Sequence, residues 1–237
     1  MRIALLFTIL LISQFAHSQR QFPEPSKDET GFVKIFDGTL NKWEGDPVYW
    51  SVDNGELVGK ITPETIVKQN TFIIWRGGTP SDFELKVDVK VSDKGNSGIN
   101  YRSVEFEKYR LRGYQCDIDG PNQWSGQNYE EQGRKFLALR GQVSRKEDGK
   151  EVEVIGTVGE REELTQFIKQ NDWNEYHVIA KGDILVHMIN GHVMSVVIDN
   201  DEENKTRSGL IGVQVHVGPP MEIRYRNFRL KELTSED

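Results

Sequence analysis

The feature that most constrains the fold is an alternation of apolar and charged side chains over residues 83–91, FELKVDVKV. Because successive side chains of a β-strand point to opposite faces, this pattern predicts a strand with one buried and one hydrated face. Asn-Gly dipeptides at residues 54–55 and 190–191 each separate two segments that resemble strands. This dipeptide favours the tight turn of a β-hairpin, so the sequence predicts antiparallel pairing at both places.

The rest of the chain contains more strands and little helix. Two further strands are predicted at residues 210–217 and 222–230, which a Gly-Pro-Pro turn separates. Only residues 160–170 have apolar side chains at the i, i+3 and i+4 spacing of a helix. Short antiparallel strands at regular spacing predict an all-β fold, a jelly-roll β-sandwich with one short helix. Since no repeat or shift in composition marks a second domain, residues 31–233 are predicted to form one domain.

The N-terminal residues have the pattern of an export signal. A positive charge at the second position precedes a nearly continuous apolar run at residues 3–12, and small residues follow at Ala16 and Ser18. The run is about ten residues long, about half of what a membrane-spanning helix requires, so no membrane span is predicted. We expect a signal peptide at residues 1–18, a tether at residues 19–30 and a mature protein that is periplasmic or secreted.

Charge and cysteine content exclude several classes of protein. The net charge is −7, with acidic and basic residues interleaved, which is unlike the basic surface of a nucleic-acid-binding protein. Cys116 is the one cysteine, so an intramolecular disulfide and a cysteine-based zinc cluster are both excluded. The chain also lacks the sequence signatures of serine hydrolases, zinc proteases and nucleotide-binding enzymes.

A row of polar side chains is the first candidate for chemistry. Residues 114–119 alternate, so that Gln115, Asp117 and Asp119 share one strand face and the side chains between them face the core. Such a row could hold sugar hydroxyls, coordinate a hard cation such as calcium, or divide the roles of acid and base. A hydrated strand face with paired charges is the alternative that the spacing leaves open.

Charged groups on either side of this strand are further candidates. Arg102 shares a predicted strand face with Asn100 and could reach the carboxylates, either to keep one ionised or to bind a substrate oxygen. Residues 126–134 are interpreted as a polar loop that contributes Glu130 and Arg134. An ordinary surface ion pair and a hydrated loop are the corresponding alternatives.

The histidines divide into a weak and a stronger candidate. The turn at residues 190–191 would pair Ile189 with His192 and His187 with Met194, which makes the two histidines diagonal neighbours. Two histidines without a third ligand make a poor zinc site, and no residue is assigned as a metal ligand. His216 is the better candidate, because it shares a predicted polar strand face with Gln214, although a lone strand histidine is more often structural.

Several short segments, in the same order along the chain, resemble the bacterial 3-keto-disaccharide hydrolase domain family. They are GFVKIFDG at 31–38, WSVDNGELVG at 50–59, NSGINYR at 96–102, GYQCDI at 113–118, WNEY at 173–176, GVQVH at 212–216 and YRNF at 225–228. Each segment is unspecific alone, but their ordered set extends over residues 31–233. The resemblance implies a concanavalin A-like jelly roll and a small carbohydrate substrate, a glycoside oxidised at C3 of one sugar.

A ketone at C3 changes what a glycoside-cleaving site needs. The ketone acidifies the C2 proton, so a modest base can remove it, and the enolate then expels the C1 substituent before water adds to the unsaturated sugar. Such a site requires a base near C2, a donor or cation near the C3 oxygen and an acid at the leaving oxygen. An ordinary glycosidase would instead place two carboxylates on either side of the anomeric carbon.

Chemistry and strand-face parity suggest roles for the candidates. Either of two carboxylates could remove the proton, and any of three cationic groups could stabilise the enolate oxygen: Asp117 or Glu130, and Arg102, Arg134 or His216. A divalent cation such as calcium could replace the arginine. Hydroxyl partners are expected at Gln115, Asp119 and Gln214, and aromatic contacts to the sugar at Trp75, Trp124 and Tyr129. A non-catalytic, lectin-like carbohydrate-binding protein and a hydrolase of unmodified glycosides remain alternatives.

Overall fold

The computed structural model describes residues 29–234, which form seventeen strands and one short helix. The predicted signal peptide and nearly all of the predicted tether lie outside the described residues. In chain order the elements are β1 (Val33–Lys34), β2 (Trp43–Glu44), β3 (Trp50–Asp53), β4 (Glu56–Ile61), β5 (Thr71–Trp75), β6 (Phe83–Val91), β7 (Asn96–Glu107), β8 (Arg110–Asp119), β9 (Asn128–Glu131), β10 (Lys135–Ala138), β11 (Gln142–Glu147), β12 (Glu153–Thr157), α1 (Arg161–Thr165), β13 (Asn174–Lys181), β14 (Ile184–Ile189), β15 (His192–Asn200), β16 (Leu210–Val215) and β17 (Met221–Glu232).

Two large sheets contain all of these strands. The larger sheet has the order β12-β11-β15-β14-β13-β6-β17-β4-β3, and β1 also pairs with β17. The smaller sheet has the order β10-β9-β8-β7-β16-β5-β2. Every pair is antiparallel except β11 with β15, which is parallel. This parallel pair departs from the predicted purely antiparallel arrangement, while the predicted all-β jelly-roll sandwich is confirmed.

The alternating segment builds the core as its pattern predicts. Leu85 and Val87 of β6 are fully buried, and they pack in one hydrophobic core with Tyr101 of β7 and Cys116 of β8. The inner faces of the two sheets therefore meet, as in other face-to-face sandwiches. Polar side chains that alternate with the core residues of the smaller sheet consequently point to its outer face.

Both predicted hairpins are present, although one differs in register. Asn54 and Gly55 have φ angles of 51° and 77°, and the corresponding Asn-Gly pair between β14 and β15 has 50° and 79°. Asparagine and glycine tolerate these left-handed values best, which explains their place in the turns. The predicted pairing of Ile189 with His192 is confirmed. A bulge beyond it pairs His187 with Ser195, so the predicted pairing with Met194 is wrong.

The helix is shorter than its sequence pattern suggests. Regular helix covers only α1, whereas the apolar spacing extends over residues 160–170. The residue before it, Glu160, makes no side-chain capping bond, and such caps stabilise helix ends. Leu164 and Ile168 still pack into the core, so the segment contributes to the interior of the sandwich. Within residues 29–234, no helix is long and apolar enough to cross a membrane.

Candidate active site

A cleft of about 360 Å³ opens on the outer face of the smaller sheet. Strand β8 forms its floor, β9 and β10 form one side, and the segment between β8 and β9 forms another. The cleft is lined by Asn70, Asn96, Gln115, Asp117, Trp124, Gln127, Tyr129, Glu131, Gln132, Phe136 and His216. The sequence-predicted Gln115, Asp117, Trp124, Tyr129 and His216 therefore meet in one place.

Asp117 is held on the cleft floor by two amide side chains. Nε2 of Gln115 donates to its Oδ1 at 2.7 Å, and Nε2 of Gln127 donates to its Oδ2 at 2.6 Å. Burial raises the pKa of the Asp117 carboxyl to about 7, although both hydrogen bonds act in the opposite direction. A carboxylate with a pKa near 7 is a much stronger base than an ordinary aspartate, and it is still ionised in part at neutral pH.

Gly98 makes room for the Gln115 side chain that binds Asp117. It pairs with Asp117 across β7 and β8, and a Cβ atom at this position would lie 2.4 Å from Cδ of Gln115. That separation is far below van der Waals contact, so Gln115 can cross the neighbouring strand only because residue 98 lacks a side chain. The glycine in the NSGINYR segment thus determines the geometry of the carboxylate.

Replacing Gly98 by Ala should therefore displace Gln115 and remove one hydrogen bond from Asp117. The pKa of Asp117 should rise further, and activity at pH 6 should fall about tenfold, the effect of about 1.4 kcal/mol. The pH–rate profile measures this shift. Gly156→Ala is the matched control, because a Cβ atom there would lie 3.6 Å from Val143 in ordinary contact. An unchanged profile in the Gly98 variant would show that the hydrogen bond from Gln115 does not influence the pKa of Asp117.

Three aromatic rings form a wall beside the carboxylate. Trp124 and Phe136 stack with their ring centroids 5.8 Å apart, and Tyr129 meets Phe136 edge-on at 5.0 Å. The Phe136 side chain is 45% exposed although it is large and apolar. An exposed aromatic platform beside polar groups is suited to bind the apolar face of a sugar. Trp124 and Tyr129 were predicted here, whereas nothing in the sequence around Phe136 distinguishes it from a core residue.

Asp119 holds the segment that carries Trp124. Its carboxylate accepts hydrogen bonds from the backbone N–H groups of Gln123, Trp124 and Ser125 at 2.8, 2.8 and 2.7 Å. Asp119 was predicted to bind substrate hydroxyls, but its buried oxygens already bind the backbone. It therefore acts as a positioning residue for the aromatic wall.

Arg140 also holds this segment in place, and sequence analysis did not identify it. Its guanidinium donates to the carbonyl oxygens of Ser125 and Asn122, both at 2.9 Å. The side chain is 5% exposed, so these bonds lie in a largely dry environment. No motif surrounds this arginine, and Ser125 and Asn122 are fifteen and eighteen residues away in sequence, so only the tertiary structure could have identified it.

His216 presents one ring nitrogen without a partner among the described residues. Its Nδ1 donates to the carbonyl oxygen of Val217 at 2.6 Å, which places the proton of the neutral ring on Nδ1. Nε2 then carries the lone pair, and it becomes a proton donor when the ring is protonated. Gln214, predicted on the same strand face, is fully buried and is not among the residues that line the cleft.

Strand parity separates the two neighbouring glutamates of β9. Residues 126–134 were interpreted as a loop, but 128–131 form a strand whose side chains alternate. Tyr129 and Glu131 face the cleft, whereas Glu130 points to the other side and binds Arg134 at 2.6 Å. Glu131 accepts a hydrogen bond from Asn70 at 3.1 Å. Applying the alternation rule to residues 128–131 would have selected Glu131.

Arg134 lies at the centre of a buried ion cluster that is separate from the cleft. In addition to Glu130, it binds Asp199 at 2.7 Å and Asp201 at 3.1 Å. The Tyr114 hydroxyl donates to Asp199 at 2.6 Å. Glu130 and Arg134 were both catalytic candidates in the sequence, and the structure places both outside the cleft, where they satisfy each other's charge.

Arg102 and Trp75 are also outside the cleft. A bulge and a φ angle of 44° at Arg102 break the alternation of β7 and turn its side chain away from Asn100. The guanidinium donates to Ser81 O at 2.8 Å, to Gly182 O at 2.9 Å and to Asp82 Oδ1 at 2.9 Å. With only 2% of the residue exposed, it is an internal brace. Trp75 packs in the hydrophobic core and does not line the cleft.

The two remaining histidine candidates do not form a metal site. His187 is fully buried, and burial lowers its pKa to about 4. Its Nδ1 donates to the Gln127 carbonyl oxygen at 3.1 Å and its Nε2 accepts from the Tyr101 hydroxyl at 2.9 Å. His192 instead stacks on Phe167. Within residues 29–234, no group of three His, Cys, Asp or Glu side chains could hold a metal ion.

Solved structures with the same fold include carbohydrate-active proteins. A glycosyl hydrolase candidate from Parabacteroides distasonis has a TM-score of 0.58 at 16% identity, over 85% of this chain and 99% of its own. A second one from that organism has a TM-score of 0.57 at 20% identity, over 86% and 95%. The carbohydrate-binding module CBM66 from Bacillus subtilis has a TM-score of 0.52 at 15% identity, over 81% and 96%. At these identities the similarity shows the fold alone.

Sequence comparison is more specific. The comparison with curated proteins finds no match. One family model matches nearly the whole described part of the chain, including every residue of the cleft. By this match over residues 31–231, the chain belongs to the 3-keto-alpha-glucoside-1,2-lyase-like domain family.

Proposed function

We propose that this protein is an exported enzyme that cleaves 3-keto-glycosides, with Asp117 as the base that removes the C2 proton. The single observation that carries this assignment is the Asp117 carboxyl, held on the cleft floor by Gln115 and Gln127 with its pKa raised to about 7. Membership of the 3-keto-alpha-glucoside-1,2-lyase-like family supports the substrate class. A family match and a fold do not by themselves establish chemistry, so the site residues carry the mechanism.

The reaction begins when the C2–H bond breaks and its proton passes to Asp117. The electron pair moves towards the C3 carbonyl and forms an enolate. When the enolate collapses, the bond between C1 and the glycosidic oxygen breaks, and the leaving oxygen takes a proton. The products are an unsaturated 3-keto sugar and the free alcohol, and water then adds across the new double bond. Because the ketone stabilises the charge that develops at C2, a carboxylate with a pKa near 7 is a sufficient base for the first step.

His216, in its protonated imidazolium form, is our candidate for the proton donor to the leaving oxygen. The bond from Nδ1 to Val217 O orients the ring, and Nε2 has no partner among the described residues. Asp117 and His216 line the same cleft. Asp117, with its raised carboxyl pKa, is therefore suited to be the base, and the imidazole of His216 is suited to be the acid.

The enolate oxygen receives a hydrogen bond rather than a guanidinium contact. Neither arginine nor lysine occurs among the described residues that line the cleft. Amide side chains such as Asn96 are the available neutral donors, and preorganised donors aimed at developing charge can contribute several kcal/mol to a transition state. Trp124 and Tyr129 would stack on the sugar ring and keep C2 over the carboxylate.

An NMR time course with the purified protein tests this function. We expect 3-keto-trehalose to disappear with release of glucose, while plain trehalose stays intact under the same conditions. A chelator should leave the rate unchanged, and chelator sensitivity would require a cation at the enolate oxygen. Cleavage of both sugars at similar rates would contradict the elimination mechanism in favour of an ordinary hydrolase. Binding of both sugars without cleavage would identify a lectin-like protein.

The proposed export rests on the residues before the described part of the chain. Residues 1–18 combine an apolar run with small residues at Ala16 and Ser18. Mass spectrometry of the protein recovered from the exported fraction should find a chain that begins at Gln19. Recovery of an uncleaved chain from the cytoplasm would contradict both the signal peptide and the localisation.

A further inference from the structure

A second cleft of about 250 Å³ adjoins the first. The two share Asn96, Trp124 and His216, so these three residues form the boundary between them. The second cleft continues along the segment before β7, the segment after β8 and the Gly-Pro-Pro turn before β17. Apart from these three shared residues, its lining has no direct role in the cleavage chemistry described above.

We propose that this second cleft is the subsite for the leaving sugar ring, which rests on the proposed function of the first cleft. The 3-keto ring then occupies the space over Asp117, and the second ring lies beyond Trp124. The glycosidic oxygen that joins the rings crosses the boundary, where His216 can protonate it.

The lining of the second cleft has the chemistry of a sugar site. Lys94 and Gln123 are exposed side chains that bond to no described residue, so their donors are available for hydroxyl groups. Pro219 and Met221 add apolar surface to the cleft that Trp124 also lines. Sugar rings present both hydroxyl groups and apolar C–H faces, and pockets for small molecules combine the same two kinds of surface.

The walls of this cleft are held in place before any ligand binds. Asp119 accepts three backbone N–H bonds from the segment that carries Gln123 and Trp124. The backbone N–H of Gly120 donates to Gly95 O at 2.8 Å, which ties the opposite walls together. A preorganised cleft loses little conformational entropy when it binds, as expected of a subsite.

The two clefts together lie well inside the usual size range of ligand pockets. Ligand pockets in proteins usually measure about 300–1,000 Å³, and the first cleft lies near the lower end of that range. The second cleft alone falls below it. Since the boundary residues are shared, a ligand that fills both remains in contact with His216 throughout.

The test compares two substrates, 3-keto-trehalose and methyl 3-keto-α-glucoside, in the wild-type protein and in a Lys94→Ala, Gln123→Ala double variant. We expect the variant to lower kcat/KM for the disaccharide about tenfold more than for the methyl glycoside, because only the disaccharide loses two hydrogen bonds. Lys34→Ala with Gln166→Ala is the matched control: both residues are exposed, line neither cleft, and should leave the ratio unchanged.

The outcomes distinguish a failure of the subsite proposal from a failure of the proposed function on which it rests. If the wild-type protein cleaves both substrates and the double variant changes both rates equally, or neither, the second cleft does not bind the leaving ring. If the wild-type protein cleaves neither 3-keto substrate, the proposed function fails and the subsite fails with it. A tenfold change in the ratio supports the assignment, and thermal melting verifies that the double variant is folded.

Discussion

Replacing Asp117 by Asn should lower kcat for 3-keto-trehalose by about 10²–10⁴-fold, the usual contribution of a general base. Asparagine keeps the size of the side chain but cannot accept the C2 proton. The fold should survive, because the Oε1 atoms of Gln115 and Gln127 have no partner among the described residues. Either amide group can therefore flip, so that its oxygen accepts a hydrogen bond from the NH₂ group of the new asparagine. Steady-state kinetics and thermal melting measure the two effects.

Stability should not fall in this variant. The folded-state pKa of Asp117 is about 7, above the ordinary value of 3.8. A raised carboxyl pKa means that the protonated form stabilises the fold, and this contribution is lost as the pH rises through about 7. The neutral asparagine should thus melt at the same or a higher temperature than wild type at pH 8. Asp148→Asn, on the surface, is the control that should leave activity intact, and an unaffected kcat in the Asp117 variant would exclude Asp117 as the base.

The same carboxyl predicts how activity depends on pH. Proton abstraction requires the ionised form of Asp117, so kcat/KM should fall as the pH drops through about 7. An ordinary aspartate with a pKa near 3.8 would leave the rate flat over this range. A pH–rate profile of the wild-type protein between about pH 5 and 9 measures the position of the acidic limb. A flat profile down to pH 5 would contradict the assignment.

Replacing Arg134 by Met should destabilise the protein by about 3–5 kcal/mol, the usual effect of removing one partner from a buried ion pair. Glu130, Asp199 and Asp201 are all at most 5% exposed, and all three lose their shared cation. For a protein of this size the melting temperature should drop by about 10 °C or more. Urea unfolding and thermal melting test this.

The loss in the Arg134 variant should depend on pH. Although burial acts to raise it, hydrogen bonds from Asn204 and Arg134 lower the pKa of Asp201 to about 2. A lowered carboxyl pKa stabilises the fold above the ordinary value, and this contribution is lost as the pH falls through about 2. The difference between wild type and variant should therefore be larger at pH 7 than at pH 3.

Arg145→Met is the matched control for the ion cluster. Arg145 forms ion pairs with Glu147 and Glu153 on the surface, with 40% of its own side chain exposed. Exposed pairs of this kind contribute about 1 kcal/mol or less. Equal melting temperatures in the two variants would show that the Arg134 cluster does not stabilise the fold.

The alternation of apolar and polar residues along the strands was sufficient to predict most of the fold. The alternation of β6 and the two Asn-Gly turns depend on neighbouring residues alone, and the structure contains all three. The same local rule oriented Gln115 and Asp117 correctly. It failed at Arg102 because a bulge interrupts β7, and a bulge depends on the partner strand as well as on the sequence.

Residue types and their parity along each strand were sufficient to predict an all-β sandwich and to select Asp117, Trp124 and His216 as candidates. Long-range contacts decided the rest, in particular which arginines bind internal partners and so lie outside the cleft, as Arg102 and Arg134 do. Charged side chains of the same type look alike in a sequence. Only the folded chain determines whether an opposite charge lies within reach, and this decides whether a group stabilises the fold or remains available for chemistry.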